Sequence, residues 1–153
     1  MRTNLKAFLD MVATSEIGAE LLELTDNGYD VLVGSTPAHI LRFTSYADHP
    51  NILNEKLNST AAGRYQTLHR YYDAYKKKLD LPDFSPASQD AIAIEMITEC
   101  HALADIEVGF LASAIKKCSS RWASLPGAGY GQHENKFDDL KTAYLEAGGS
   151  VAT

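Results

Sequence analysis

The sequence is poor in cysteine and tryptophan, with Cys100, Cys118 and Trp122 as its whole complement. Two cysteines eighteen positions apart cannot staple a small secreted domain and fit no zinc spacing, so both are expected to be unpaired structural thiols. No stretch reaches the roughly 18 to 20 continuous apolar residues of a membrane span. The opening Arg2-Thr3-Asn4-Leu5-Lys6 has no apolar segment leading to a small-residue cleavage site. The expectation is a chain without an exit signal of its own, made in the cytoplasm. Positive charge is also scarce: 14 basic against 20 acidic residues give a net charge of −6, which argues against broad binding to nucleic acid or anionic membrane. Gly-x-Ser-x-Gly and His-Glu-x-x-His are both missing, so serine-hydrolase and zinc-protease chemistry have no footing. The histidines at 39, 49, 69, 101 and 133 stand singly, and neither a metal nor any other cofactor is expected. Gly127-Ala128-Gly129-Tyr130-Gly131 follows Pro126 rather than a strand and lacks the glycine spacing of a nucleotide-binding turn.

What the sequence does hold is ordinary globular material, with 45% apolar and 22% charged residues in a chain of 153. That length suits one domain with one core. Asn4 reads as an N-cap before Leu5, Phe8, Leu9 and Val12, and this first helix should close near Ser15 and Glu16. A short helical piece, 19–24, ends in the turn Thr25-Asp26-Asn27-Gly28. Segments 29–34 and 40–46 are rich in β-branched and aromatic residues and predict a hairpin or small antiparallel sheet. Residues 47–58 read as a surface loop. Helical spacing resumes from about Ala61 through Tyr65, Leu68, Tyr72 and Tyr75 to Lys76-Lys77-Lys78. Ser85-Pro86 forms a cap and first-turn pair, further helices are expected over about 108–122 and 135–147, and 125–131 is irregular. The sum is an α+β chain of four or five helices with a small sheet after the first.

Among twenty acids, Glu16 differs by position. It closes an apolar helix just before the predicted sheet, where a side chain can project into a cleft, and partial burial would raise its pKa enough for proton donation near neutrality. The plain alternative is a surface Glu at a helix end. Tyr71, Tyr72 and Tyr75, with Tyr65 upstream, suit either stacking on sugar rings or core packing. The glycine-rich segment around Tyr130 is either a flexible helix connection or a mobile loop that sets Tyr130 against a ligand.

Six strings in register carry a resemblance. They are Ser15-Glu16, Gly28-Tyr29-Asp30-Val31-Leu32-Val33-Gly34, Phe43-Thr44-Ser45-Tyr46-Ala47-Asp48-His49-Pro50, Ser59-Thr60-Ala61-Ala62-Gly63-Arg64-Tyr65-Gln66, Asp83-Phe84-Ser85-Pro86, and Trp122 through Gln132. In this order, across about 5–149, they resemble the lambda-type phage endolysins of glycoside hydrolase family 104. The resemblance implies a lysozyme-like, mainly helical α+β fold over the whole chain. It also implies lytic transglycosylase activity on the β-1,4 bond between N-acetylmuramic acid and N-acetylglucosamine in peptidoglycan, with the muramic C6 hydroxyl capturing the sugar as a 1,6-anhydro end.

By the same resemblance Glu16 is the catalytic acid, and Ser15, Tyr29, Asp30, Ser45, Tyr46, Ala62, Gly63, Tyr65, Gln66, Tyr72 and Tyr130 are expected to contact substrate. The segments at Asp48-His49-Pro50 and Gly129-Tyr130-Gly131 resemble two lips over the cleft. Partners would be peptidoglycan strands, with no nucleic acid or membrane; the chain would be a monomer, exported by a holin from the host cytoplasm to act on the periplasmic wall. Family members follow Ser-Glu with Gly-Thr, whereas Ile17 through Leu24 stands here and brings Glu20 and Glu23 as competitors. Tyr71-Tyr72 stands where members carry two tryptophans, and Ser45 where they carry an acid. A hydrolytic muramidase on the same fold, or a silent wall-binding or phage structural domain, remains the alternative.

Overall fold

The computed structural model describes residues 2–131 and 133–152, which contain seven helices. They are α1 (Thr3–Ile17), α2 (Ala19–Leu24), α3 (His69–Leu79), α4 (Pro86–Glu99), α5 (Leu103–Val108), α6 (Leu111–Cys118) and α7 (Phe137–Glu146). The chain divides into two compact units, Ile17–Ala93 and Met1–Glu16 with Ile94–Thr153.

The second of these carries most of α1, whose Ala7, Phe8, Leu9, Met11, Val12, Ala13 and Ser15 are all buried. A helix covered on nearly every side is a central one, not a surface stripe. Asn4 lies inside α1 rather than capping it. Its amide donates to the Ile106 carbonyl at 3.1 Å and its Oδ1 accepts from Ser150 N at 3.0 Å, so it ties the helix start to α5 and to the chain's last residues. The helix expected over 108–122 is shorter, α6 alone, and a separate helix, α5, precedes it and is parted from it by Gly109. That residue stands at φ 83°, and a Cβ there would meet backbone atoms of Ser150 and Ala152 within 3 Å. Asp105 joins the pair by accepting from Lys117 at 2.6 Å and Ser113 at 2.8 Å. Ser85-Pro86 opens α4 as expected, with the Ser85 carbonyl taking Gln89 N at 2.9 Å.

In the unit Ile17–Ala93 the expected sheet is reduced, among the described residues, to isolated antiparallel bridges. Val31 pairs with Arg42, Leu32 with Ala62, and Ala62 with Thr67. Pairing therefore occurs between the two segments that the sequence pointed to, but a third segment, 61–67, joins on the other side of 31–33. The ladders stay short for local reasons. The Ser35 hydroxyl both donates to the Leu41 carbonyl and accepts from Leu41 N, at 2.8 Å each, standing in for a further backbone pair, and Gly34 turns the chain away at φ 89°.

The same geometry corrects the helix expected from Ala61. Gly63 and Gln66 take φ values of 84° and 51°, incompatible with helix, and α3 begins only at His69. Tyr65 is thus not on the helix of Tyr72 and Tyr75. Nor is 47–58 wholly a surface loop, because His49 is buried against Phe84 (ring centroids 4.8 Å apart) and Tyr72 (5.6 Å).

Candidate functional site

Glu16 closes the buried part of α1. Burial pushes its carboxyl from the ordinary 4.5 up to about 8, and a hydrogen bond from Ser124 opposes that shift without cancelling it. A carboxyl raised this far keeps its proton at neutral pH. Ser124 lies just before the irregular segment 125–131 and is fixed twice. Its hydroxyl oxygen is 2.7 Å from that of Ser15, and its carbonyl accepts from Asn135 N at 2.8 Å. Asn135 also donates its side-chain amide to the Ser15 carbonyl at 2.9 Å and the Ser15 hydroxyl at 3.0 Å.

The neighbouring Glu134 accepts from Gly127 N and Gly129 N at 3.0 Å each, and these two bonds hold its carboxyl below the ordinary range. Segment 125–131 is therefore clasped at its glycines. Tyr130 is 57% exposed and donates to the Ser120 carbonyl at 3.2 Å.

The other expected contacts belong to the unit Ile17–Ala93. Asp30 and Tyr46 line one concave surface of about 750 Å³ with Leu24, Thr25, Asp26, Arg42, Phe43 and Thr44. Tyr46 donates to Asp26, and burial first, then that bond, pushes its phenol well above the ordinary range. Ser45 is exposed, its hydroxyl accepting from Ala47 N at 3.2 Å. Gln66 is partly exposed and donates to the Gly63 carbonyl at 2.8 Å. Tyr29 is half-buried; its hydroxyl gives its hydrogen to Asp90 at 2.9 Å, and burial raises it to about 12.

Six residues expected to touch substrate are buried: Ser15 and Asp30, and with them Tyr72, Tyr65, Ala62 and Gly63. Tyr72 is 0% exposed among His49, His69 and Phe84. Tyr65 is 2% exposed, donating to Asp90 at 2.7 Å and accepting from Arg64 at 2.9 Å, and Ala62 is 0% exposed. Gly63 is buried where a Cβ would come within 2.3 Å of the Gln89 amide oxygen. The last four shape the unit, and Gln89 binds them together by accepting from Arg64 N and donating to the Tyr29 and Phe84 carbonyls.

No local pattern singled out Ser124, Asn135, Asp90 or Gln89, whose bonds to Ser15, Tyr65 and Arg64 span 25 positions of chain or more. Among the described residues no group of three or more His, Cys, Asp or Glu is arranged to hold a metal ion.

Known proteins are similar to this chain. The endolysin of Escherichia phage lambda is 54% identical over 150 residues, covering 95% of this chain and 92% of that protein. The endolysin of Escherichia phage P2 is 48% identical over 158 residues, covering 97% and 95%. The solved structure of bacteriophage lambda lysozyme complexed with a chitohexasaccharide superposes with a TM-score of 0.90 at 51% identity, covering 99% of this chain and 98% of that one. A second structure of lysozyme from bacteriophage lambda gives 0.86 at 50% identity. The fold is therefore lysozyme-like and mainly helical. The endolysin family model matches residues 6–151, and with relatives this similar along nearly their whole length the chain belongs to the endolysin family.

Proposed function

We propose that this chain lyses bacterial cell walls by cutting the glycan strands of peptidoglycan as a lytic transglycosylase, with Glu16 as its proton donor. The observation that carries the reading is the Glu16 carboxyl itself, protonated at neutral pH by burial and held by Ser124. Relatives named endolysin and lysozyme, one of them complexed with a chitohexasaccharide, support a glycan substrate.

In the proposed reaction Glu16 protonates the leaving glycosidic oxygen as the C1–O bond breaks. Glu16, now a carboxylate, then takes the proton of the muramic C6 hydroxyl as that oxygen bonds to C1 and closes the anhydro ring. The donor and the base are one group used twice, so no second carboxylate has to act as nucleophile. The two acids nearest to candidates for that role are already engaged. Asp30 is paired with Arg42, and Asp48 accepts from His49 N at 2.9 Å. Tyr130, Ser45 and Gln66 keep the exposure needed to meet a glycan.

Turbidity of Gram-negative cells stripped of their outer membrane tests the reading. The wild-type chain should clear the suspension, and Glu16→Gln should be slower by at least the roughly 10²-fold that general acid catalysis supplies. Clearing at the wild-type rate by Glu16→Gln, with loss in Glu20→Gln or Glu23→Gln, would move the donor to the altered segment after α1.

A further inference from the structure

Glu16 does not stand alone at the end of α1, because its neighbour Ser15 and two residues far along the chain, Ser124 and Asn135, form a single file leading to it. The Asn135 side-chain nitrogen lies 2.9 Å from the Ser15 carbonyl oxygen. A backbone carbonyl only accepts, so the Asn135 atom facing it is the NH₂ and not the amide oxygen. That same NH₂ is 3.0 Å from the Ser15 hydroxyl, which it fills as a donor. A hydroxyl carries one proton. With the Ser124 proton directed at the ionised Glu16 carboxylate, the 2.7 Å contact between the two hydroxyls is filled by the Ser15 proton. Ser124 in turn accepts from Ser15 and has its own proton for the Glu16 carboxyl. The backbone completes the brace, since Asn135 N holds the Ser124 carbonyl at 2.8 Å.

We infer that Asn135, Ser15 and Ser124 form a polarised hydrogen-bond relay whose purpose is to position the Glu16 carboxyl and to keep a donor aimed at it when it becomes the base. Asn135 holds Ser15 in place, Ser15 donates to Ser124, and Ser124 donates to the Glu16 carboxylate. All three are positioning residues: they act through Glu16 and have no part in the bonds made or broken. The relay matters most after the first half of the reaction, when Glu16 has lost its proton in a buried place and a single aimed hydroxyl is its compensation. Hydrogen bonds to an ionised group are the stronger kind, and here they form without reorganisation because the file is already in place.

The inference rests on Glu16 as the donor, and its test separates the two ideas. The full chain would be labelled with ¹³C at glutamate carboxyls, the Glu16 signal identified with Glu16→Gln, and its titration followed in Ser124→Ala, Ser15→Ala, Asn135→Ala and Ser124→Thr, alongside pH profiles of lysis. Ser124→Ala should raise the Glu16 midpoint by about one pH unit, move the alkaline limb of kcat/KM with it, and lower kcat about 10-fold with KM unchanged. Ser15→Ala, which leaves the Asn135 bond to the Ser15 carbonyl intact, should shift the midpoint in the same direction by less. Asn135→Ala should match Ser15→Ala and add nothing on a Ser124→Ala background, since both work through Ser124. Ser124→Thr, which keeps the hydroxyl, should restore the midpoint. An unmoved midpoint in Ser124→Ala, or an Asn135→Ala shift that persists undiminished without Ser124, would overturn the relay. A Glu16→Gln protein that still lyses at the wild-type rate would overturn the donor reading instead, and with it only the catalytic consequence of the relay.

Discussion

Asp30 holds Arg42 on a single carboxylate oxygen, Oδ2, which takes both Nε and Nη2 at 2.7 Å, while its Oδ1 accepts from Asp26 N at 3.1 Å. A carboxylate with both oxygens engaged in this way braces the turn before the first bridged segment. Asp30→Asn should therefore cost stability rather than chemistry. Arg42 keeps 46% of its side chain exposed and can be rehydrated, so the loss should be about 1 kcal/mol in chemical denaturation. Lysis should fall less than 10-fold. A loss comparable with that of Glu16→Gln would restore Asp30 as a second catalytic carboxylate.

The buried acid has its own pH signature. The Glu16 carboxyl titrates near 8 when folded and near the ordinary 4.5 when unfolded, so between these values the folded chain retains a proton that the unfolded chain releases. The penalty on the folded state grows as pH rises through that interval. Glu16→Gln removes it and should stabilise the protein by up to about 3 kcal/mol at pH 7, while leaving stability near pH 4 little changed. Wild-type lysis should decline as pH rises through about 8, where the donor is lost. Equal melting temperatures of Glu16→Gln and wild type at pH 7 would count against a buried, protonated Glu16.

His49 predicts the opposite limb. Its Nε2 faces the Thr67 carbonyl at 2.8 Å and so carries the hydrogen, whereas its Nδ1 accepts from Asn51 N at 2.9 Å. Both bonds suit the neutral ring, and burial, the largest influence on it, holds its pKa below the ordinary 6.5. The stability this gives is complete above 6.5 and is lost as pH falls below that value toward the lowered folded pKa. Melting should become acid-sensitive from about pH 6.5 downward, and His49→Gln should flatten that slope. An unchanged slope in His49→Gln would assign the acid sensitivity elsewhere.

Glu134 governs the segment of Tyr130 through Gly127 N and Gly129 N. Because these bonds favour the ionised carboxyl, the clasp is present above the ordinary carboxylate range and is lost as pH falls through the lowered value. Glu134→Gln should speed amide hydrogen exchange at Gly127 and Gly129 at neutral pH, with α7 unaffected. Added chitohexaose should slow exchange across 125–131 in the wild type if this segment closes on a glycan. Identical exchange in Glu134→Gln and wild type would show that the clasp does not order the segment.

Features encoded over short range were legible in the sequence. Ser85-Pro86 marked the start of α4, Gly18 and Thr25 bounded α2, and Glu16 stood out because an apolar helix ended beside it. Features set by contacts distant in sequence were not. The apolar and aromatic residues of 61–75 fit a helical period, but pairing of Ala62 with Leu32 and Thr67 overrides it, and the left-handed Gly63 and Gln66 become visible only once that pairing exists. The break at Gly109 was not anticipated, because the backbone of Ser150 and Ala152 that crowds it lies about forty positions along the chain. The candidate site divided the same way. The helix end at Glu16 was legible from the apolar spacing before it, whereas Asn135 reaches Ser15 across 120 positions, a distance over which no periodicity or local motif carries information.

The product decides between transglycosylase and hydrolase. A retaining hydrolase generally needs a carboxylate nucleophile about 5 to 5.5 Å from the acid, and an inverting one needs a carboxylate to activate water. Asp30 is spent on Arg42 and Asp26 N, and Asp48 is turned to His49 N. Without such a partner, the C6 hydroxyl of the same muramic residue has the advantage, because its effective concentration at C1 far exceeds that of a loosely placed water. Digests of peptidoglycan should consist mainly of anhydro-muropeptides, each lighter by one water than the hydrolytic product in mass spectrometry. Chitohexaose should bind, by calorimetry, without being cut, since N-acetylglucosamine has no lactyl group to seat it as muramic acid is seated. Glu16→Gln should retain that binding while yielding no anhydro product, which separates recognition from proton transfer. Reducing-end muramic acid as the principal product would replace the transglycosylase with a hydrolytic muramidase and would require one of the engaged carboxylates, Asp30 first, to leave its present partner during the reaction.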